Sequence, residues 1–203
     1  NISGILIQLP LPKHIDSSAI LAAIDINKDV DGLSNNNLGA LLKGEPNFVP
    51  ATPLGVRELL YRNGVEIPGK NVVVVGRSTL VGKPLSALLS MKSDKGNATV
   101  TLAHSATTDL SSVTKKADIL IVAIGIAEFI DGTMIKEGAV IIDVGINRVD
   151  DINNKNGYKL VGDVNFESVL SKASMVTPVP GGVGPMTIAM VVSNTLRAAK
   201  LNS

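Results

Sequence analysis

The chain has 203 residues, 19 Lys and Arg against 18 Asp and Glu, a formal net charge of +1 and no Cys. It is 45% hydrophobic but only 2% aromatic, which excludes a disordered chain and implies a core of Val, Ile, Leu and Ala in one large domain or two small ones. Balanced charge argues against a nucleic-acid partner, the lack of Cys excludes disulfides and thiolate chemistry, and no apolar run approaches the roughly 18 residues of a membrane span.

GILIQLPL (4–11) reads as a buried strand ended by Pro10 and Pro12. Its one uncharged polar residue, Gln8, would need hydrogen-bond partners if buried and is therefore a site candidate. Asp16 is placed to cap a helix over 17–24. KDVDG (28–32) is a turn: Asp31 precedes Gly32 and can project from it, whereas Asp29 reads as solvated. A short helix is expected within 35–44. Thr52-Pro53 reads as a hydroxyl cap followed by a helix to Asn63, closed by Gly64.

From residue 70 strands and helices alternate. Strands are expected at 71–76, 98–105, 118–125 and 139–145, with helices at 84–92, 108–117 and, shorter, 133–138. NNKNG (153–157) forms the turn between INRV and KLVGDV. A helix at 165–173, a strand at 174–179 and a final helix from Gly184-Pro185 to about 201 follow. This predicts an α/β chain with a doubly wound parallel sheet.

Three segments are candidates for ligand chemistry. VVVVGRSTLVGKP (72–84) ends a strand in Gly76 and opens a helix near Gly82, a turn that lets backbone approach a pyrophosphate, although Ser78 stands where a middle glycine is usual. The second strand ends in His104-Ser105 without the carboxylate that would bond a ribose 2′-hydroxyl. Arg77 and Ser105 instead suit a 2′-phosphate, so NADP is expected over NAD. TPVPGGVGPMT (177–187) packs three Pro and three Gly into a loop before an apolar helix, where glycine is costly unless special dihedrals or close approach require it. Asp31 suits a planar ligand edge that offers two N–H donors. The two histidines, His14 and His104, lack metal-ligand spacing, and no metal site is expected.

GILIQLPLP, KDVDG, VVVGRSTLVGKP, VGINR and PVPGGVGPMT together resemble the bifunctional methylenetetrahydrofolate dehydrogenase/methenyltetrahydrofolate cyclohydrolase family of the bacterial FolD type, over essentially the whole chain. The resemblance implies NADP-dependent oxidation of 5,10-methylenetetrahydrofolate and hydrolysis of the product to 10-formyltetrahydrofolate. It implies a cytoplasmic homodimer serving one-carbon metabolism and purine biosynthesis, with tetrahydrofolate derivatives as partners and neither nucleic acid nor membrane. Carried over by motif, Gln8 and Asp31 take catalytic and substrate-binding places, Asp31 holding the pterin. Pro180, Gly181, Gly182, Val183 and Gly184 line the folate pocket, while Gly76, Arg77, Ser78, Ser105 and Ile146 contact the dinucleotide. The implied organisation is 1–55 as the C-terminal part of a smaller α/β folate domain, 56–184 as a Rossmann NADP-binding domain, and 185–203 as a helix returning to the first.

Two departures accompany the resemblance. The family's acid/base lysine and the tyrosine before it lie in a helix upstream of QLPLP, whereas this chain starts seven residues before Gln8. Lys13, Lys28 and Lys43 do not occupy that position. The 203 residues are therefore expected to be N-terminally truncated, to bind NADP weakly and to turn over folate poorly or not at all. Ala106 stands where a basic residue often follows the serine of HSAT. Read from the residues alone, another NADP-dependent dehydrogenase of shikimate type, or a non-catalytic nucleotide-binding domain, remains open.

Overall fold

A computed structural model describes residues 2–201. Its first third holds three helices and, among the described residues, no strand. The 4–11 run is not a strand: it makes one isolated bridge, Ile5 to Asp29, and both Leu6 and Gln8 are exposed. Apolar content alone does not make a strand when no neighbour offers a ladder, and Pro10 and Pro12 withhold their N–H groups. Helix α1 (Ser17–Ala22) is capped by Asp16, as expected from the sequence, but none of its residues is buried. Helix α2 (Asn35–Lys43) is capped by Ser34 and closed by Gly44 in the left-handed region.

Helix α3 (Ala51–Arg62) has Pro50 at its cap and no side-chain cap hydrogen bond. The expected Thr52 cap is therefore corrected: Thr52 lies in the first turn, and its hydroxyl pairs with that of Thr187 at 3.0 Å.

The remaining elements alternate: β1 (Asn71–Val75), α4 (Gly82–Ser90), β2 (Thr99–Ala103), α5 (Leu110–Thr114), β3 (Ile119–Val122), a 3-10 turn (Gly132–Met134) in place of the expected short helix, and β4 (Val140–Asp143). Then come β5 (Asn147–Asp150), β6 (Tyr158–Val161), α6 (Phe166–Leu170), β7 (Met175–Val176) and α7 (Val183–Leu201). Strands β1, β2, β3, β4 and β7 form one parallel sheet in the order β2-β1-β3-β4-β7. Chain order reverses direction between β1 and β3, the position where such sheets open a ligand crevice at their carboxyl ends. Strands β5 and β6 make a separate antiparallel hairpin.

Val73, Val75, Leu120 and Val122 bury one sheet face, and Val72, Val74, Ile119 and Ile121 bury the other. A strand covered on both sides needs unbroken β-branched and Leu residues, which is what NVVVV and ILIV supply. Helix α7 lies along α3 and reaches the first segment, where Ala198 packs with Val30 and Phe48. Among the described residues, no helix is long and apolar enough to cross a membrane.

Candidate active site

All five parallel strands end on one edge, so the segments after them converge: 76–81 after β1, 104–107 after β2, 123–126 after β3, 144–146 after β4 and 177–182 after β7. Two cavities open there and share the glycine turn as a wall.

The first cavity, about 580 Å3, is lined by Gly76, Arg77 and Ser78 on one side, His104 and Ser105 on another, and Ile124 and Ile126 opposite. Gly76 has φ +118, and a Cβ there would collide with the Ala123 carbonyl at the end of the neighbouring strand. A Cβ on Gly82 would collide with the Gly76 carbonyl. The turn is therefore folded back on itself at van der Waals limits, which only glycine permits. The Ser78 hydroxyl oxygen accepts from the Val81 N–H at 3.1 Å, bending the chain into α4, a nine-residue helix without a side-chain cap. At the β2 end, the His104 N–H donates to the Thr107 hydroxyl at 2.8 Å and the Ala106 N–H to His104 Nδ1 at 3.2 Å. That tight turn leaves Ser105 exposed, as Arg77 and Ser78 are. No carboxylate is among the residues lining this cavity. A close-folded glycine turn, an exposed cation and exposed hydroxyls fit a phosphorylated dinucleotide.

The second cavity, about 240 Å3, lies on the far side of the same turn. Leu80 and Val81 wall it, with Gln8, Asp31, Thr52 and Thr187 around it. The Asp31 carboxyl, on the 28–32 turn, meets the Ala51 amide at the start of α3, which lowers its pKa. Burial, with the Asp29 charge adding to it, outweighs that and pushes the carboxyl up to about 6.

The expectation of a solvated Asp29 is wrong. Asp29 is 1% exposed, and its carboxylate accepts from the Leu33 N–H (3.2 Å), the Ser34 N–H (2.8 Å) and Asn37 Nδ2 (2.8 Å). Asn194 of α7, also buried, donates to the Val30 carbonyl at 2.9 Å and the Val49 carbonyl at 3.1 Å. These two buried side chains fix the turn that presents Asp31. The expectation of a buried, partnered Gln8 is corrected too: it is exposed, and its Nε2 makes one long bond, 3.4 Å to the Leu9 carbonyl.

The structure thus brings Gly76, Arg77, Ser78 and Ser105 around one cavity and Gln8 and Asp31 around the other. Ile146 is exposed on the same edge but outside both linings. Gly181 and Gly182 line a third groove beside Leu59, Leu60 and Met175, and Val183 is buried in the core. Sequence reasoning missed the cavity-lining Thr52 and Thr187 and the burial of Asp29, Asn37 and Asn194, because neither turn composition nor helix periodicity tells a polar residue facing the interior from one facing water.

Residues 50–203 match the family model for the tetrahydrofolate dehydrogenase/cyclohydrolase NAD(P)-binding domain, and residues 1–31 match that for the tetrahydrofolate dehydrogenase/cyclohydrolase catalytic domain. The chain belongs to the tetrahydrofolate dehydrogenase/cyclohydrolase family. It is 56% identical to the bifunctional protein FolD of Flavobacterium johnsoniae over 203 residues, which is all of this chain and 69% of that relative. Among solved structures, FolD of Campylobacter jejuni superposes with a TM-score of 0.90 at 47% identity, covering 99% of this chain and 68% of that one. The Trypanosoma brucei methylenetetrahydrofolate dehydrogenase-cyclohydrolase, solved with NADP cofactor and inhibitor, gives a TM-score of 0.91 at 45% identity, with 98% and 67% covered. The glycine turn falls in the portion matched by the NAD(P)-binding model and Asp31 in that matched by the catalytic model, and the second cavity takes its lining from both portions.

Proposed function

We propose that the first cavity takes NADP and the second a tetrahydrofolate derivative, and that the chain serves the oxidation of 5,10-methylenetetrahydrofolate and the hydrolysis of the methenyl product to 10-formyltetrahydrofolate. One observation carries this reading: a single turn, 76–82, separates a cavity built for phosphate from a cavity built around a carboxylate. NADP supplies a hydride acceptor.

The chain's own residues do the rest. Gly76 and Gly82 let backbone approach the diphosphate, Arg77 pairs with the 2′-phosphate, and Ser78 and Ser105 offer hydroxyls. Asp31, ionised above about pH 6, accepts two N–H groups from the pterin edge. Gln8 presents to the same cavity an amide held by only one long bond, to the Leu9 carbonyl. The family resemblance assigns Pro180 to Gly184 to the folate side and Ile146, on the segment after β4, to the dinucleotide; here Gly181 and Gly182 line the neighbouring groove, Val183 packs in the core and Ile146 lies outside both linings. Leu80 and Val81, from the turn between the cavities, flank the place where the two ligands meet. Positioning two reactants across one turn supplies much of the rate, since oriented reactants gain roughly 7–11 kcal/mol over free ones.

The same reading assigns 1–55 to the folate side, 56–184 to the dinucleotide side and 185–203 to a returning helix. It carries a cytoplasmic homodimer feeding purine biosynthesis, which sedimentation and cell fractionation test. The 56% identity to a bifunctional FolD favours it over a shikimate-type dehydrogenase.

Calorimetric titration of paired variants tests the two cavities. Asp31→Asn is expected to weaken tetrahydrofolate binding at least a hundredfold and leave NADP unchanged. Arg77→Ala is expected to weaken NADP about tenfold and leave NAD and tetrahydrofolate unchanged. Loss of both ligands in either variant would contradict the division.

A further inference from the structure

Two carboxylates outside both cavities remain unexplained. Asp143 ends β4 and Asp163 follows β6; they are 3% and 0% exposed. Among the described residues, neither has a cation within ion-pair distance. A buried carboxylate without a cation must be satisfied by N–H donors, and that requirement shapes the backbone around it.

Asp163 meets the requirement in full. Its Oδ2 accepts from the Ile124 N–H at 2.7 Å and the Gly125 N–H at 2.9 Å; its Oδ1 accepts from the Ile126 N–H at 3.0 Å and from Asn147 Nδ2 at 2.8 Å. Three consecutive amides wrap one anion, a nest of the kind that elsewhere receives a phosphate. Here the anion is internal. The amides of 124–126 point at Asp163, while Ile124 and Ile126 line the dinucleotide cavity. Through Asn147 the same carboxylate grips the segment that carries Ile146.

Asp143 holds Asp163 in turn. Its carboxylate accepts from the Gly145, Asp163 and Val164 N–H groups at 3.0, 3.0 and 2.8 Å. Glycine makes the room on both sides. A Cβ on Gly145 would fall on the Asp163 carboxyl, and a Cβ on Gly162 on the Asp143 carboxyl.

We propose that Asp163 is a positioning residue for the dinucleotide: it ties the loop after β3 to the segment after β4 and so fixes the apolar wall opposite Arg77 and Ser78. This rests on the assignment of the first cavity to NADP. Asparagine in its place keeps one acceptor oxygen and turns an NH2 group toward two amide donors, so the 124–126 wall is released.

Titration of the full chain with NADP and, separately, with tetrahydrofolate tests it. Asp163→Asn is expected to raise the NADP dissociation constant about tenfold or more, with tetrahydrofolate affinity within twofold and far-UV circular dichroism retained. Asn147→Ala, which removes one of the four donors, is expected to weaken NADP about threefold and decides the matter if Asp163→Asn does not fold. Unchanged NADP affinity in a folded variant, or equal weakening of both ligands, would overturn the proposal while leaving the cavity assignment standing. Failure of the unsubstituted chain to bind NADP would overturn the cavity assignment itself, and this proposal with it.

Discussion

The two cavities are separated by one turn yet built by different means. The dinucleotide cavity is backed by β1 and β3, whose Val, Leu and Ile side chains are locked between two layers of helix, and by the edge strand β2, whose Val100 and Leu102 are half-buried on one face while Thr99 and Thr101 are exposed. The smaller cavity stands on segments with one bridge and short helices, and there Asp29 and Asn194 replace the sheet as the rigid support. A strand positions its end through many weak apolar contacts. A loop positions its residues through a few strong buried hydrogen bonds, so single polar substitutions should damage the second cavity most directly, and the first at its glycine turn and at the loop after β3 that Asp163 holds.

Gly76→Ala should have the largest effect. The new methyl group meets the Ala123 backbone at φ +118, so a loss of about 3 kcal/mol or more is expected, together with loss of NADP binding. Urea denaturation and NADP titration check both. Asn194→Leu comes next. It leaves the Val30 and Val49 carbonyls buried without their donor, at a cost of about 2–4 kcal/mol, and tetrahydrofolate affinity should fall more than NADP affinity. The reverse order of ligand losses would break the comparison.

A third expectation concerns pH. Burial raises Asp31 and Asp143 above their unfolded value of 3.8 to about 6. A group raised in this way favours folding at low pH and loses that contribution as pH rises through about 6. These two carboxyls therefore make the fold less stable at pH 7 than at pH 5, opposite to an ion-paired carboxylate. Tetrahydrofolate affinity should run the other way, falling about tenfold per pH unit below pH 6 as Asp31 takes its proton. Asp31→Asn should abolish that slope and raise the melting temperature slightly at pH 7. A pH-independent affinity in the unsubstituted chain would remove Asp31 from the site. The smallest effect is expected from Lys136→Ala, at the opposite edge of the sheet. Its pair with Asp118 is largely exposed and should contribute under about 1 kcal/mol, with both ligand affinities unchanged.

What could be read from the sequence follows the same line. Strands β1, β3 and β4 were legible because a strand buried on both faces needs a continuous Val/Ile/Leu run, and the turn after β1 was legible because its backbone crowding demands Gly76 and Gly82. GILIQLPL misled because its residues are apolar for a different reason: Leu6, Ile7 and Leu9 line a cavity. Thr52-Pro53 looks like a cap and a first helical position, but the helix starts two residues earlier and the hydroxyl is used across to α7. Asp29, Asn194, Asp143 and Asp163 were illegible as buried residues, since each is satisfied by partners brought together only by the fold. In KDVDG nothing local distinguishes the carboxylate that turns inward from the one that faces the cavity.

The most direct test is a crystal structure of the chain with NADP and 5,10-methenyltetrahydrofolate bound together. The account predicts the 2′-phosphate at Arg77, the pterin edge on Asp31, and the nicotinamide C4 about 3–3.5 Å from the one-carbon unit, in direct contact beside Leu80 and Val81. A dinucleotide bound away from residues 76–78, or a pterin that leaves Asp31 untouched, would contradict it.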